Sequence, residues 1–203
     1  MKKTDIFINC PFSADYNEHF WAIVFTVVRS GFDPRCAREA DDAGENRFDK
    51  ICRIIAECHY GIHDISNTAL DASTGLPRFN MPLELGLFLG ARKFSNRRHG
   101  DKKTLIIDTD PHRYLAFISD IRGQDIHAYD GHVPTLIERV AAWLRDTSGR
   151  DNIPGGRAIA GEFQFFREDL PGLCAQKKLE LGEITFLDYK RFAAAWIAGE
   201  DLA

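Results

Sequence analysis

Two features of the sequence predict an α/β protein built on a parallel sheet of about five strands, with helices on both faces. Short apolar runs alternate along the chain with longer runs of helical period. The short runs are apolar nearly throughout, as strands buried on both faces are. Right-handed crossovers would then bring every strand-to-helix loop to one edge of the sheet. Ligands of such sheets bind there, outside the carboxyl ends of the strands.

The first strand is Asp5-Ile6-Phe7-Ile8-Asn9-Cys10, and a turn follows from Pro11 to Asp15. Residues 16–29 form a helix with Phe20, Ile23, Val24 and Val27 on one face, and Gly31 ends it. A second strand covers 32–37. The connection 38–46 is charged and includes Asp41, Asp42 and Gly44. Residues 47–58 make a helix whose Ile51, Ile54 and Ile55 face inward. The third strand, Tyr60 to Ile65, ends in a polar tip at Asp64. The loop 66–78 is long enough to be functional on length alone. Residues 96–103 are polar and basic, as in a solvated loop. A fourth strand covers Thr104 to Ile107, and a short fifth is centred on Ile126. Val133 to Arg145 is an amphipathic helix with Leu136, Ile137, Val140, Ala141 and Leu144 as its apolar face.

This layout is flavodoxin-like and occupies residues 1–147. Residues 148–203 form a helical C-terminal extension. A linker at 148–156 leads into helices at 157–166 and 185–198, broken at Leu170-Pro171-Gly172. Phe163, Phe165, Phe166, Phe186, Tyr189, Phe192 and Trp196 are too many aromatics for a disordered tail. They pack on the core or on another subunit. A five-stranded domain has already covered its sheet by about residue 145, and large exposed apolar patches are unusual in monomers. The expectation is therefore a homo-oligomer, at least a dimer, with an interface after Gly161.

Composition narrows the class. Hydrophobic content of 44% and charged content of 28% are ordinary for a soluble domain, and a net charge of −4 offers no global attraction for nucleic acid. No apolar run is long enough for a membrane span, and the start leads straight into a strand rather than a signal segment. Five cysteines, an odd number with no Cys-x-x-Cys, read as reduced thiols of a cytoplasmic protein. His59 and His63 lie four apart on a strand, which does not give helix-face metal geometry, and no metal is expected. No Gly-x-Ser-x-Gly elbow, Gly-x-Gly-x-x-Gly fingerprint or phosphate-loop lysine motif occurs.

The stretch from Leu76 to Ala91 carries the chemistry. Pro82 fits the first turn of a helix, with Asn80 or Met81 as its cap. From Leu83 the side chains are apolar almost all round, which predicts a helix buried on most sides. Glu84 is its one ionisable group. Placed in the first turn, it would gain roughly 0.3–1 kcal/mol from the helix dipole and be ionised at the mouth of a cleft. The plainer alternative is an ion pair with Arg78 or Arg92. The polar tips Asn9 and Asp64 would meet Glu84 on the same rim. Arg35, Arg38 and Arg47 follow the second strand and could grip a phosphate bidentately, or form a salt-bridge cluster with Glu39, Asp41 and Asp42. Phe12 and Tyr16 could stack a base, Phe12 equally serving as a core plug.

The opening Ile6-Phe7-Ile8-Asn9-Cys10-Pro11-Phe12, the Asp64 strand tip and Glu84-Leu85-Gly86 resemble the first strand and next two landmarks of the nucleoside 2-deoxyribosyltransferase family. The same order resembles the wider group of Toll/interleukin-1-receptor-like (TIR-like) enzymes that split NAD. The resemblance covers roughly residues 4–145. It implies cleavage of an N-glycosidic bond in a nucleotide or nucleoside, with NAD as the preferred substrate and no resident cofactor. It assigns the nucleophile to Glu84 and contact with base and sugar to Asp64. Asn9, Cys10, Pro11, Phe12, Arg35, Asn80 and Met81 would form the rest of the binding site. In the transferases a further acidic residue precedes the glutamate by about six positions, where this chain has Arg78 and Asn80. Many TIR-like enzymes act in bacterial anti-phage or immune signalling, and the resemblance extends to such a role. A nucleotide sensor without turnover and a scaffold assembling through the C-terminal segment are the competing classes.

Overall fold

The computed structural model describes all residues except 1, 40, 41, 69, 72, 96 and 201–203. Of the alternative salt-bridge cluster with Glu39, Asp41 and Asp42, Asp41 lies outside the described residues, and the Arg35–Glu39 pair is formed at 2.5 Å. Five parallel strands form one sheet in the order β2-β1-β3-β4-β5, the flavodoxin-like arrangement. They are β1 (Lys2–Asn9), β2 (Asp33–Arg35), β3 (Cys58–Asp64), β4 (Lys103–Asp108) and β5 (Ile126–Ala128). After β1 the chain moves to one side of the sheet, and after β2 it crosses to the other. The switch point therefore lies between β1 and β3.

Alternation along the strands sorts side chains between the two faces. Ile6, Ile8, Tyr60, Ile62, Leu105 and Ile107 join the larger core with helices α1 (Asn17–Arg29) and α5 (Val133–Ser148). Phe7 packs on the opposite face with Ile51, Ile54 and Ile55 of α2 (Arg47–Glu57) and Phe88 of α3 (Asn80–Phe94). Asn46 caps α2 by accepting a hydrogen bond from the Phe48 N–H at 2.9 Å. Gly61 of β3 is what lets α3 approach the sheet. A Cβ there would lie 2.7 Å from Cζ of Phe88 and 2.6 Å from Nε2 of His63.

Several expectations need correction. Residues 97–100 form a short helix, α4, and the stretch after it is not simply solvated. Lys102 has no exposed surface, because its ammonium donates to the carbonyls of Ile55 and Cys58 and lies over the Phe88 ring. Helix α3 is not buried on most sides. Leu83 is 55% exposed and Phe94 89%, since among the described residues no further element covers this side of α3. Its cap is Phe79 rather than Asn80 or Met81, and the helix begins two residues before Pro82.

The C-terminal segment also departs from expectation. Helix α6 runs unbroken over Gly156–Gln176 with Pro171 inside it. An interior proline costs about 3 kcal/mol. Phe163, Phe166, Leu170 and Cys174 continue one buried stripe through it, and each large apolar side chain there returns roughly 1.5–3 kcal/mol. Helix α7 (Phe186–Ala198) begins at a capping box of Thr185 and Asp188. Both helices lie on α1. Phe25 packs against Phe166 at a ring separation of 5.1 Å and against Phe163 at 5.6 Å, while Trp21 stacks on Tyr189 at 4.2 Å. Arg29 and Glu162 form a bidentate ion pair across the same interface. The aromatics that argued for a second subunit are thus largely consumed within the chain. Among the described residues no helix is long and apolar enough to cross a membrane.

Candidate active site

A cleft opens at the carboxyl ends of β1 and β3, on the α2/α3 side of the switch point. It has two lobes. The polar lobe, about 160 Å³, is walled by the β1 loop from Asn9 to Ser13, by Asn67 and Arg78 of the β3–α3 loop, and by Met81. The apolar lobe, about 330 Å³, lies between α2 and α3 and is walled by Phe48, Ile51, Leu83 and Leu87, with Asn46 at its edge. Arg47, Asn80 and Glu84 line both lobes and mark their junction.

Glu84 is 8% exposed and makes no hydrogen bond or ion pair among the described residues. Burial raises its pKa from the ordinary 4.5 to about 7, and the guanidinium of Arg47 offsets only part of this. The expected ionised state is therefore corrected to a carboxyl that titrates near neutrality. The cause is position: with α3 starting at Asn80, Glu84 is the fifth helical residue, past the first turn where the dipole acts. The alternative ion pairs with Arg78 or Arg92 are not formed; Arg78 pairs with Asp71 at 3.6 Å. Among the described residues Glu84 is the one carboxylate lining either lobe.

Asn9 fixes the cleft wall. Its amide nitrogen donates to the Met81 carbonyl at 2.8 Å and lies 3.0 Å from Nδ1 of His63, its neighbour on β3. Burial lowers the His63 pKa to about 3, so the ring is neutral. With the amide donating, Nδ1 accepts and the proton sits on Nε2. The last turn of β1, the tip of β3 and the first turn of α3 are thereby tied through one side chain. Cys10 is buried at the same wall, and burial together with nearby Asp64 pushes its thiol well above the usual range. It is a neutral thiol, not a nucleophile. Phe12 is mainly a plug: its ring meets Phe20 edge-on at 5.3 Å and lies under the Arg38 guanidinium at 4.5 Å.

Two expected site residues are not brought to the cleft. Asp64 reaches the right edge but faces the wrong side. It shares the parity of Tyr60 and Ile62, so it points toward α1, where Tyr16 donates a hydrogen bond to it and the Ser66 N–H donates another at 2.7 Å. It is fully buried, and that burial raises its pKa. Tyr16, expected as a stacking residue, is the lid on Asp64. Arg35 is likewise corrected. Its guanidinium is shared among Glu39, Asp5 and Glu57 at 2.5–3.0 Å, leaving it no free edge for a phosphate. Of the other two arginines, which follow β2, Arg47 lines the cleft and Arg38 braces the Phe12 carbonyl at 3.1 Å. Asn67 and Ser13 were not singled out by sequence reasoning as cleft residues. The position of Ser13, directly after the Asn9–Phe12 loop, was the available signal for it.

No protein-family model matches the chain, and no curated protein matches it.

Proposed function

We propose that this cleft breaks the N-glycosidic bond of a nucleotide or nucleoside, with NAD the first candidate. The observation that carries the reading is Glu84: an unpaired, largely buried carboxyl at the junction of a polar and an apolar lobe, titrating near neutrality. Its carboxylate would shield or trap the oxocarbenium-like sugar as the C1′–N bond breaks and the electron pair leaves with the base, before water takes C1′. Among the described residues no second carboxylate lines the cleft and Asp64 is enclosed by Tyr16, so they supply no evident proton donor for a leaving base besides Glu84 itself. That favours a base that departs without protonation, such as the pyridinium of NAD, over nucleoside transfer. Asn80 and the free carbonyl of the Asn9 amide would orient ribose hydroxyls.

The test is incubation of the pure protein with NAD and a nucleoside panel, with free base followed by chromatography. Base release lost in Glu84→Gln is the expected result. Tight nucleotide binding without release would make the cleft a sensor instead. The pH profile adds a check. The working form is the carboxylate, so kcat/KM rises with pH through about 7 and then levels off. A rate that falls as pH rises through 7 would reassign Glu84 as a proton donor.

A further inference from the structure

We infer that the cleft accepts its ligand in one orientation, with a phosphate-bearing ribose in the polar lobe and a flat aromatic ring between α2 and α3. The inference rests on the proposed N-glycosidic reading for the placement of C1′, but its binding argument stands on the lobes themselves.

The two lobes differ in the groups they offer. The polar lobe is lined by Arg47 and Arg78 together with Ser13 and Asn67. Arg47 makes no ion pair among the described residues, and Arg78 is held only at 3.6 Å by Asp71. Two loosely engaged guanidiniums against one carboxyl that titrates near neutrality make this lobe a site for an anion, and guanidinium geometry suits a phosphate. The apolar lobe presents ring and branched-chain surface from Phe48, Ile51, Leu83 and Leu87. Phe48 is 49% exposed and Leu83 is open as well, so a planar group entering there would remove apolar surface from water on both its faces. The side-chain oxygen of Asn46 at this edge already accepts the Phe48 N–H in capping α2. The lobe therefore grips the faces of a ring, and the polar groups left to meet its edge are those at the junction, Arg47, Asn80 and Glu84. Glu84 stands where the two parts of such a ligand would join.

This predicts a preference for nucleotides over nucleosides and for ring-bearing ligands over the bare sugar phosphate. Phe48 lines only the apolar lobe and Arg78 only the polar one, so the two can be tested separately. Binding is measured by calorimetry in the Glu84→Gln protein, which holds ligand without turnover. The probes are nicotinamide mononucleotide, nicotinamide riboside and ribose 5-phosphate. Adding Phe48→Ala weakens the two ring-bearing probes about tenfold and leaves ribose 5-phosphate unchanged. Adding Arg78→Gln weakens the two phosphate-bearing probes about tenfold and leaves the riboside unchanged. The reverse pattern, an equal loss for all three probes, or no binding of any probe overturns the orientation. Base release by the unmutated protein is followed in parallel. The expected pattern without release upholds the orientation and overturns the glycosidase reading; release without the pattern does the opposite.

Discussion

The two faces of the sheet are finished to different depths. On one, α1 and α5 cover the strands, and α6 and α7 add a second layer of aromatic packing around Phe25, Phe166 and Tyr189. On the other, α2 and α3 form a single layer whose outer side chains Phe48, Leu83 and Phe94 remain open. The cleft lies on the thinner face. Stability is thus concentrated away from the site, and the site holds groups that weaken the fold, above all a buried carboxyl without a partner. A chain can carry such a cost where the surplus comes from elsewhere.

The contrast can be broken or sharpened by substitution. Phe166→Ala, in the double layer, removes a fully buried ring stacked on Phe25 and should cost about 3–5 kcal/mol, read as a fall in the urea midpoint. A loss below 1 kcal/mol would mean that the second layer adds little. Glu84→Gln should act in the opposite sense. Its folded pKa is raised, so the stability associated with its protonated form is complete below about 4.5 and lost as pH rises through about 7. The variant should therefore exceed the unmutated chain by up to about 3 kcal/mol at pH 8 and match it at pH 4. Thermal melts at the two pH values decide this, and a variant that is less stable at pH 8 would sink the idea that Glu84 strains the fold. Gly61→Ala places a Cβ against Phe88 and His63 and should cost about 1–3 kcal/mol while displacing α3. Weaker nucleotide binding should accompany the lower melting temperature. Leu83→Ser, on the open side of α3, should change stability by less than about 0.5 kcal/mol. A larger loss, seen in the same melts, would show that this face is covered in solution.

The fold was legible in the sequence because its signals are local. The β1, β3 and β4 runs and the stripes of α1, α2 and α5 show themselves within windows of a few residues. Glu84 was legible as the one ionisable group in the apolar run from Leu83 to Ala91. Asp64 was misread because the edge a residue reaches is set by topology, whereas the face it points to is set by parity along β3. Arg35 and Arg47 look alike in sequence; only the arrival of Asp5 and Glu57 beside Arg35 separates them. Pro171 was read as a break because its local cost is visible, while the buried stripe that offsets it runs the length of α6.

Lys102 carries a practical consequence. An amine enclosed between two backbone carbonyls and the Phe88 ring is hidden from an acylating reagent, whereas Lys93 and Lys103 lie open to it. Modification of Lys102 must wait until the segment before β4 lifts from the junction of α2 and β3. Peptide mapping after timed acylation would therefore use this residue as a clock for the opening of the thinner face, with Lys93 and Lys103 as the reference for reagent strength.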